Sequence, residues 1–257
     1  MSAAPVPDAT SVSTYAMRLG DDALVLAQRL SQWSSRGPDL EEDIALTNIG
    51  LDLLGQARSL LTYAGEVEGR GRTEDDLAYL REERDFTNLL LVEQDNGDFA
   101  HTIARQLFFS TWQLALWEGL LSSADETIAA VAGKAVKEVD YHRDHAVQWT
   151  LRLGDGTPES RRRMQAGLDA MWPYVAEMFA ADPLDVVLVE AGVAVDVAAL
   201  RPPWDSFIDG VLAEATLSRP DDTWTPTGGR RGMHTETFGY LLAEMQHLHR
   251  SHPGATW

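Results

Sequence analysis

The apolar residues of this chain recur at helical spacing along nearly its whole length. Four long segments, 14–36, 39–67, 98–121 and 125–153, place leucine, isoleucine, valine and alanine three or four residues apart, as in helices that bury one face. No segment keeps the alternation of apolar and polar residues that a half-buried strand requires. The pattern predicts an all-α protein built as an up-and-down helical bundle, with extra helices towards the C-terminus.

Capping residues mark several helix boundaries. Asp39 is the expected N-cap of the second long helix, because three acidic residues follow it in the first turn. Thr157 followed by Pro158 is expected to start a fifth helix, in which Pro173 introduces a kink. Region 181–234 is expected to be looser, with short helices only, before a final helix near 235–250.

The second long helix carries apolar residues on almost all sides. A helix of that kind lies in the centre of a protein, so 39–67 is predicted to be the central helix. Residues 1–13 lack the basic and apolar regions of a targeting signal and are expected to form a flexible arm. Residues 14–257 are expected to form a single domain.

Composition narrows the function classes. Hydrophobic content of 44% argues against disorder, and the absence of cysteine removes disulfides, thiolate metal sites and cysteine nucleophiles. No run approaches the roughly 20 apolar residues that span a bilayer, so a cytoplasmic protein is expected. The 40 acidic and 21 basic residues give a net charge of −19, which repels nucleic acid and anionic membranes.

One short stretch raises the question of a metal site. Helical bundles can hold two irons when two helices each supply a Glu and two others a Glu-x-x-His pair, because residues i and i+3 share a helix face. KEVDYH (137–142) almost has this pair, but Val139 is the residue three before His142. The central helix has Leu53 and Gln56 at the same spacing. Since leucine has no donor atom, the bundle is predicted to have kept its shape and lost its metal.

Two acidic-x-x-His pairs do occur in the chain, Asp98 with His101 and Glu244 with His247. About one such pair is expected by chance from this composition. An aspartate at a helix start is also favoured by the helix dipole alone, which accounts for the first pair. A second hypothesis stays open, namely an independent metallo-oxidase with a rearranged site. Its ligands would come from Asp98, His101, His142, His145 or the C-terminal histidines His247, His249 and His252.

Five stretches of the chain carry a family resemblance, and they are, in order, GDDALVLAQRLSQW, ALTNIGLDLLGQAR, NLLLVEQDNGDFAHTIARQLF, KEVDYH and GGRRGMHTE. Together they resemble the C subunits of bacterial ring-1,2-phenylacetyl-CoA epoxidases. The resemblance runs from about residue 14 to 257 and implies a ferritin-like subunit that performs no catalysis and binds no cofactor. The implied partners are the catalytic A subunit with its di-iron centre, small accessory subunits, and a reductase that carries flavin and an iron–sulfur cluster.

The resemblance to the catalytic paralogue also implies a fate for each ligand position. Leu53 and Val139 stand where that paralogue has glutamates, Gln56 stands at one histidine, and His142 alone keeps the ligand type. The single carboxylates fall near Arg29 and Ser110, where Arg29 would supply positive charge in place of the irons. No metal ligand is carried over. A further hypothesis fills the former metal cavity with an ion-pair network of Asp52, Gln56, Arg58, Lys134, Lys137 and Glu138.

Phenylacetyl-CoA is implied to lie near the contact with the catalytic partner. The GGRRG loop (228–232) is interpreted as flexible and cationic. Its Arg230 and Arg231 could bind a CoA phosphate, since the guanidinium group matches the geometry of phosphate oxygens. Partner contact or local salt bridging is the favoured role for them. A third hypothesis is a stand-alone acyl-CoA-binding helical bundle. Candidate acyl-CoA contacts, with ordinary turn and packing roles as the alternative, are Asp85, Phe86, Thr87, Asn88, Val186, Val187 and Leu188.

Overall fold

The computed structural model describes residues 7–222 and 224–255. These residues form nine α-helices and five short 3-10 helices and contain no strand, so the all-α prediction is confirmed. In the same ranges no helix has both the length and the apolar character needed to cross a bilayer. The helices are α1 Ala9–Ser31, α2 Leu40–Glu68, α3 Glu74–Tyr79, α4 Phe99–Leu120, α5 Glu126–Gly154, α6 Pro158–Met171, α7 Pro183–Glu190, α8 Arg201–Glu214 and α9 Glu236–Ser251.

Local capping chemistry explains most helix ends. The Asp39 side chain accepts the Glu42 backbone N–H at 2.9 Å, and Thr157 caps α6 with Pro158 at its first position, both as predicted. Pro173 does not kink a continuing helix, because α6 ends at Met171 and the chain tightens into a 3-10 turn. Loss of the proline N–H favours such an ending.

The prediction of a flexible arm at 1–13 is wrong for residues 9–13, which belong to α1. Asp8 caps α1 by accepting the Ser11 backbone N–H at 2.7 Å, so the helix begins at Ala9, and Val12 and Ser13 are buried. Residues 8–13 are mostly small or polar, and a first turn with few large apolar residues shows no hydrophobic period from which a helix could be predicted. Residues 1–6 of the predicted arm lie outside the described residues.

The described residues form two compact units. One unit comprises 7–95 with 227–255 and contains α1, α2, α3 and α9. The other comprises 96–222 with 224–226 and contains α4 to α8. The single-domain organisation expected for 14–257 stays a prediction.

In the 7–95 and 227–255 unit, α1 and α2 pack along their length. Gly20 lets them approach closely, because a Cβ atom there would lie 2.9 Å from the Leu61 side chain. The prediction that 39–67 is a central helix is wrong for one of its faces. Its inward face is buried, but four of its outward apolar residues are exposed: Leu40, Ile44, Leu51 and Leu54.

In the 96–222 and 224–226 unit, α4 is the helix buried on nearly every side. An aromatic cluster fills one part of this unit, where the Trp204 ring lies 5.7 Å from Phe108, 6.0 Å from Trp172 and 5.4 Å from Phe179 between centroids. The Trp204 indole N–H donates to the Phe108 carbonyl at 3.0 Å. This bond satisfies a polar group that would otherwise be stranded in the core.

Candidate functional site

Four charged side chains lie on the buried face of α1. Arg18, Asp21, Asp22 and Arg29 are each at most 7% exposed, and their spacing of three, one and seven residues keeps them on one side of the helix. Buried charges persist only when they are paired and hydrogen-bonded. Their partners within the same unit, together with Glu93 and the residues bonded to it, form what we call the α1 polar network.

Asp21 holds the segment that follows α3. Its carboxylate accepts both terminal nitrogens of Arg81 and the Thr87 backbone N–H, the latter at 2.9 Å. The Arg81 guanidinium also lies 4.1 Å from the centre of the Phe86 ring. Both members of the ion pair are buried. The pairing therefore fixes the course of the chain from Arg81 to Thr87 along α1.

Asp22 holds the GGRRG loop. Arg230 donates to its two carboxylate oxygens at 3.0 and 2.7 Å, and the Leu89 backbone N–H donates at 2.7 Å. Burial raises the pKa of Asp22 to about 6, against the opposing effects of Arg230 and the Leu89 N–H. Arg230 also donates to the Thr87 carbonyl at 2.8 Å. One guanidinium thus links the loop, α1 and the 87–89 segment.

The loop itself is packed against the chain from Arg84 to Asn88. A Cβ atom on Gly229 would lie 2.2 Å from the Asn88 carbonyl oxygen, and one on Gly232, at a φ of +69°, would lie 2.1 Å from that of Arg84. The interpretation of GGRRG as a flexible cationic loop is therefore wrong for Arg230, whose charge is matched by Asp22. Local salt bridging is confirmed there. Arg231 is exposed, and its phosphate or partner contact stays a prediction.

Glu93 is a third buried carboxylate of the network. It accepts from His234 Nδ1 at 2.7 Å, from the Thr235 backbone N–H at 2.6 Å and from the Asn88 amide at 2.9 Å. His234 Nε2 lies 3.0 Å from the Phe86 carbonyl oxygen. Both ring nitrogens thus face acceptors, which favours the doubly protonated imidazolium. Burial alone would lower the pKa of His234, but the bond and charge of Glu93 outweigh it and raise the pKa.

Arg29 closes the network at the far end of α1. Its Nε and Nη2 donate to the Glu93 carbonyl at 2.9 and 2.6 Å, and its Nη1 lies 3.1 Å from an Asp95 carboxylate oxygen. Burial lowers the pKa of Arg29, and Asp95 and Glu93 oppose that effect. Its charge is thus matched locally at the 93–95 turn. The idea that Arg29 replaces the charge of lost irons stays a prediction.

The other positions expected to retain traces of a metal site are buried. Leu53 and Gln56 are 1% and 3% exposed on one face of α2, and Val139 and His142 are 0% and 1% exposed on one face of α5. Ser110, 2% exposed, donates to the carbonyl four residues earlier in α4. Two of these side chains are pure hydrocarbon, so the donor set does not fit an iron centre. In the described part of the chain, no three His, Asp or Glu side chains are grouped to hold a metal ion.

The pairs considered for a rearranged metal site have other surroundings. Asp98 is the N-cap of α4 and accepts the His101 backbone N–H at 3.1 Å, while His101 Nδ1 lies 2.8 Å from the same oxygen. Glu244 and His247 are exposed on α9. Capping explains the first spacing, and the second belongs to a solvated helix face. This geometry gives the rearranged oxidase site no support.

The hypothesis of an ion-pair network filling a former metal cavity is wrong for its cations. The Arg58 side chain is 76% exposed and pairs with Glu74 at 3.2 Å, and the Lys134 side chain is 70% exposed and pairs with Glu138 at 3.4 Å. Lys137 is exposed as well. The helical period places these residues on solvent faces of α2 and α5. Of the six residues in that hypothesis only Gln56 is fully buried, with Asp52 and Glu138 half-buried.

The candidate acyl-CoA contacts differ in accessibility. Phe86, Asn88 and Leu188 are fully buried, so a ligand at the surface cannot contact their side chains. Phe86 and Asn88 pack around the α1 polar network. Asp85 is exposed and Thr87 half-buried. Val186 and Val187 are 52% and 43% exposed on α7. For these four residues, substrate contact stays a prediction.

The α1 polar network could not be found from the sequence, although each of its residues was visible there. Its ion pairs join residues 60 and 208 positions apart. The one local signal is the run of charged residues Arg18, Asp21, Asp22 and Arg29 within an otherwise apolar helix, on the face that must be buried. Charges on a buried face require partners, but the spacing does not say which.

We expect the network to lose stability as the pH rises. The pKa of Asp22 is raised from 3.8 to about 6, so the folded chain binds a proton at Asp22 more tightly than the unfolded chain does. The contribution of Asp22 to the free energy of unfolding therefore falls by about 3 kcal/mol between about pH 4 and pH 6. The raised pKa of His234 gives stability that is complete below about pH 6.5 and is lost as the pH rises through the folded value. Urea unfolding of wild type and Asp22→Asn at intervals from pH 4 to pH 8 measures both effects.

In the Asp22→Asn variant the free energy of unfolding should change less between pH 4 and pH 6 than in wild type, whereas its pH dependence above pH 6.5 should be unchanged. His234→Gln is the matched control, because it should flatten the upper part only. The lowered pKa values of Asp76 and Asp98 act below this window, where their contribution is lost as the pH falls. Identical pH profiles for wild type and Asp22→Asn would contradict the assignment.

Comparison with known proteins gives two findings. The chain matches, over residues 2–257, the family model described as phenylacetic acid catabolic protein. It is also 50% identical over 246 residues to the C subunit of the 1,2-phenylacetyl-CoA epoxidase of Escherichia coli (strain K12), and the match covers 96% of this chain and 99% of that protein. The resemblance drawn from the sequence is thereby confirmed, together with the ferritin-like, all-α fold class.

Proposed function

Because this chain belongs to the phenylacetic acid catabolic protein family, we propose that it is the non-catalytic C subunit of a phenylacetyl-CoA epoxidase. The nearly full-length match to a relative that bears the name of the C subunit of such an enzyme carries the proposal. In this role the chain pairs with the catalytic A subunit and stabilises it during aerobic phenylacetate degradation. The relative's name, as one subunit of an epoxidase, supports a complex of several chains.

The absence of a catalytic role is supported by the chemistry of four buried positions. In this proposal Leu53 and Val139 correspond to two ligand glutamates of the catalytic paralogue, and both are buried hydrocarbon side chains. Gln56 is uncharged, and His142 is the one side chain of these four that commonly binds iron. One imidazole cannot hold a di-iron centre, which needs several carboxylates to bridge and neutralise it. We therefore assign the irons to the A subunit.

The remaining components follow from the same proposal. The A subunit binds phenylacetyl-CoA near its contact with this chain, small accessory subunits complete the assembly, and a reductase with flavin and an iron–sulfur cluster supplies electrons. The exposed residues Asp85, Val186 and Val187 are the parts of the candidate acyl-CoA contacts that another chain or a ligand could reach. This chain itself holds no cofactor in the proposed complex.

Producing the chain alone, the A subunit alone and the two together tests the proposal. We expect the lone chain to carry no stoichiometric iron and to convert no phenylacetyl-CoA with the reductase present. The co-produced pair should purify as a stable complex, contain iron and epoxidise the substrate. Metal analysis and product chromatography give both readouts.

Two outcomes would support the other functions. About two irons per lone chain, with oxygen consumption in the absence of the A subunit, would favour the independent oxidase. Saturable binding of phenylacetyl-CoA by the lone chain in calorimetry, without any complex forming, would favour the stand-alone acyl-CoA-binding bundle. Either result contradicts the proposed subunit role.

A further inference from the structure

A row of exposed apolar side chains runs along α2. Leu40, Ile44, Leu51 and Leu54 are 71%, 51%, 59% and 40% exposed. Their spacing of four, seven and three residues keeps them on one helix face over about 21 Å. We call these four residues the α2 stripe. Single exposed leucines are ordinary, but four large apolar side chains on one helix face, with the exposed Thr47 between Ile44 and Leu51, form a surface suited to binding another molecule.

A cavity adjoins the α2 stripe at Leu54. Its volume is about 260 Å³, below the roughly 300–1,000 Å³ typical of small-molecule sites. A space of this size suits one large apolar side chain, the kind of central anchor that carries much of the binding energy in protein interfaces. Its lining residues all belong to one unit of the chain and are Leu24, Leu54, Ala57, Arg58, Leu61, Glu74, Asp75, Ala78 and Tyr79.

Charge around the α2 stripe selects the occupant. Glu41 and Asp43 lie beside its N-terminal end, and Glu74 and Asp75 line the cavity at the other end. The cation that lines the cavity, Arg58, is paired with Glu74. A second copy of the chain would bring the same acidic margins and a net charge of −19, and like charges facing each other oppose association. A partner with basic residues beside its apolar row would instead be attracted.

We propose that the α2 stripe and the adjoining cavity dock an amphipathic helix of the partner subunit. The helix covers Leu40 to Leu54 with its own apolar row, inserts one large apolar side chain into the cavity and places lysine or arginine residues opposite Glu41 and Asp75. This is the helix-in-groove mode of recognition. The identity of the partner as the A subunit rests on the function proposed above, whereas the surface and its chemistry rest on α2.

The binding of the purified A subunit to the full chain tests this surface. We expect Leu51→Glu to raise the Kd about tenfold or more, because it places a charge in the apolar contact. Leu248→Glu on α9 is the matched control, since Leu248 is 54% exposed, and its Kd should stay within about twofold. Glutamate has nearly the helix propensity of leucine, so both variants should fold. Glu41→Lys should slow association and reduce its salt dependence.

Each outcome bears on a different part of the proposal. If wild type and Leu51→Glu bind the A subunit equally, the docking surface is wrong while the subunit role stands. If wild type does not bind the A subunit at all, the proposed function fails and the occupant fails with it. A wild-type dimer in sedimentation that Leu51→Glu converts to a monomer would identify a second copy as the occupant and overturn the inference. Circular dichroism and urea midpoints establish that each variant is folded.

Discussion

Replacing Arg81 with methionine is expected to lower the free energy of unfolding by about 3–5 kcal/mol. Asp21 is fully buried and receives both terminal nitrogens of Arg81. Methionine keeps part of the apolar stem, but among the described residues it leaves Thr87 as the one donor to the carboxylate from outside α1. An uncompensated charge then remains in a region that water does not reach. Guanidinium or urea unfolding followed by circular dichroism measures the loss.

Arg58→Met is the matched control for this prediction. Arg58 is also paired with a carboxylate, at 3.2 Å, but its side chain is 76% exposed, and exposed pairs contribute about 1 kcal/mol or less. The double variant Asp21→Asn with Arg81→Met should recover part of the loss, because it removes the stranded charge as well as its partner. Equal losses for Arg81→Met and Arg58→Met would contradict the role assigned to the buried pair.

The helices with the clearest local signals were predicted to within one residue. The expected segments 39–67 and 125–153 correspond to α2 at Leu40–Glu68 and α5 at Glu126–Gly154. Each has a long apolar period and an aspartate cap, Asp39 and Asp125, whose side chain accepts backbone N–H groups of the first turn. These signals act between residues at most four apart, so a sequence displays them directly.

Tertiary burial was harder to predict than helix position. The apolar residues on all sides of α2 suggested a central helix, yet Leu40, Ile44, Leu51 and Leu54 are exposed. An apolar side chain that meets a partner has the same sequence signature as one that meets the chain's own core. Period alone therefore identifies a face that must be covered and leaves open whether the same molecule covers it.

In the candidate site, positions related by local spacing were predictable, whereas contacts between distant residues were not. Resemblance and i, i+3 spacing identified Leu53 with Gln56 and Val139 with His142, and each pair is buried on one face of its helix. The bond of Arg230 to Asp22 was missed, because it joins residues 208 positions apart. Net charge made the GGRRG loop conspicuous, but only the fold decides whether an arginine meets a distant acid or solvent.

Region 181–234 was expected to contain short helices only, and α8 at Arg201–Glu214 is a regular helix of 14 residues. Two prolines near its start disguised it, although proline is well tolerated in the first turn. Its buried residues Trp204, Ile208, Val211 and Leu212 recur at helical spacing. Trp204 is the largest of them, and its ring contacts and hydrogen bond make α8 a principal part of the core of its unit.

Trp204→Ala is accordingly expected to destabilise the 96–222 and 224–226 unit by about 3–5 kcal/mol. The side chain is 2% exposed, so its removal leaves a large cavity beside Phe108, Trp172 and Phe179. Trp204→Phe should separate the two contributions, because a phenyl ring fills part of the space but gives no N–H to the Phe108 carbonyl. Loss of that one hydrogen bond accounts for about 0.5–1.5 kcal/mol, because the Phe108 carbonyl lies within α4 and keeps its backbone partner in the helix.

Urea unfolding followed by circular dichroism measures both variants, and Trp224→Ala is the control. Trp224 lies in the same unit but is 75% exposed, so its removal should change the free energy of unfolding by about 0.5 kcal/mol or less. The expected order of stability is Trp224→Ala, then Trp204→Phe, then Trp204→Ala. A loss for Trp204→Ala no greater than that for Trp224→Ala would mean that α8 is held by other contacts and that the aromatic cluster does not anchor it.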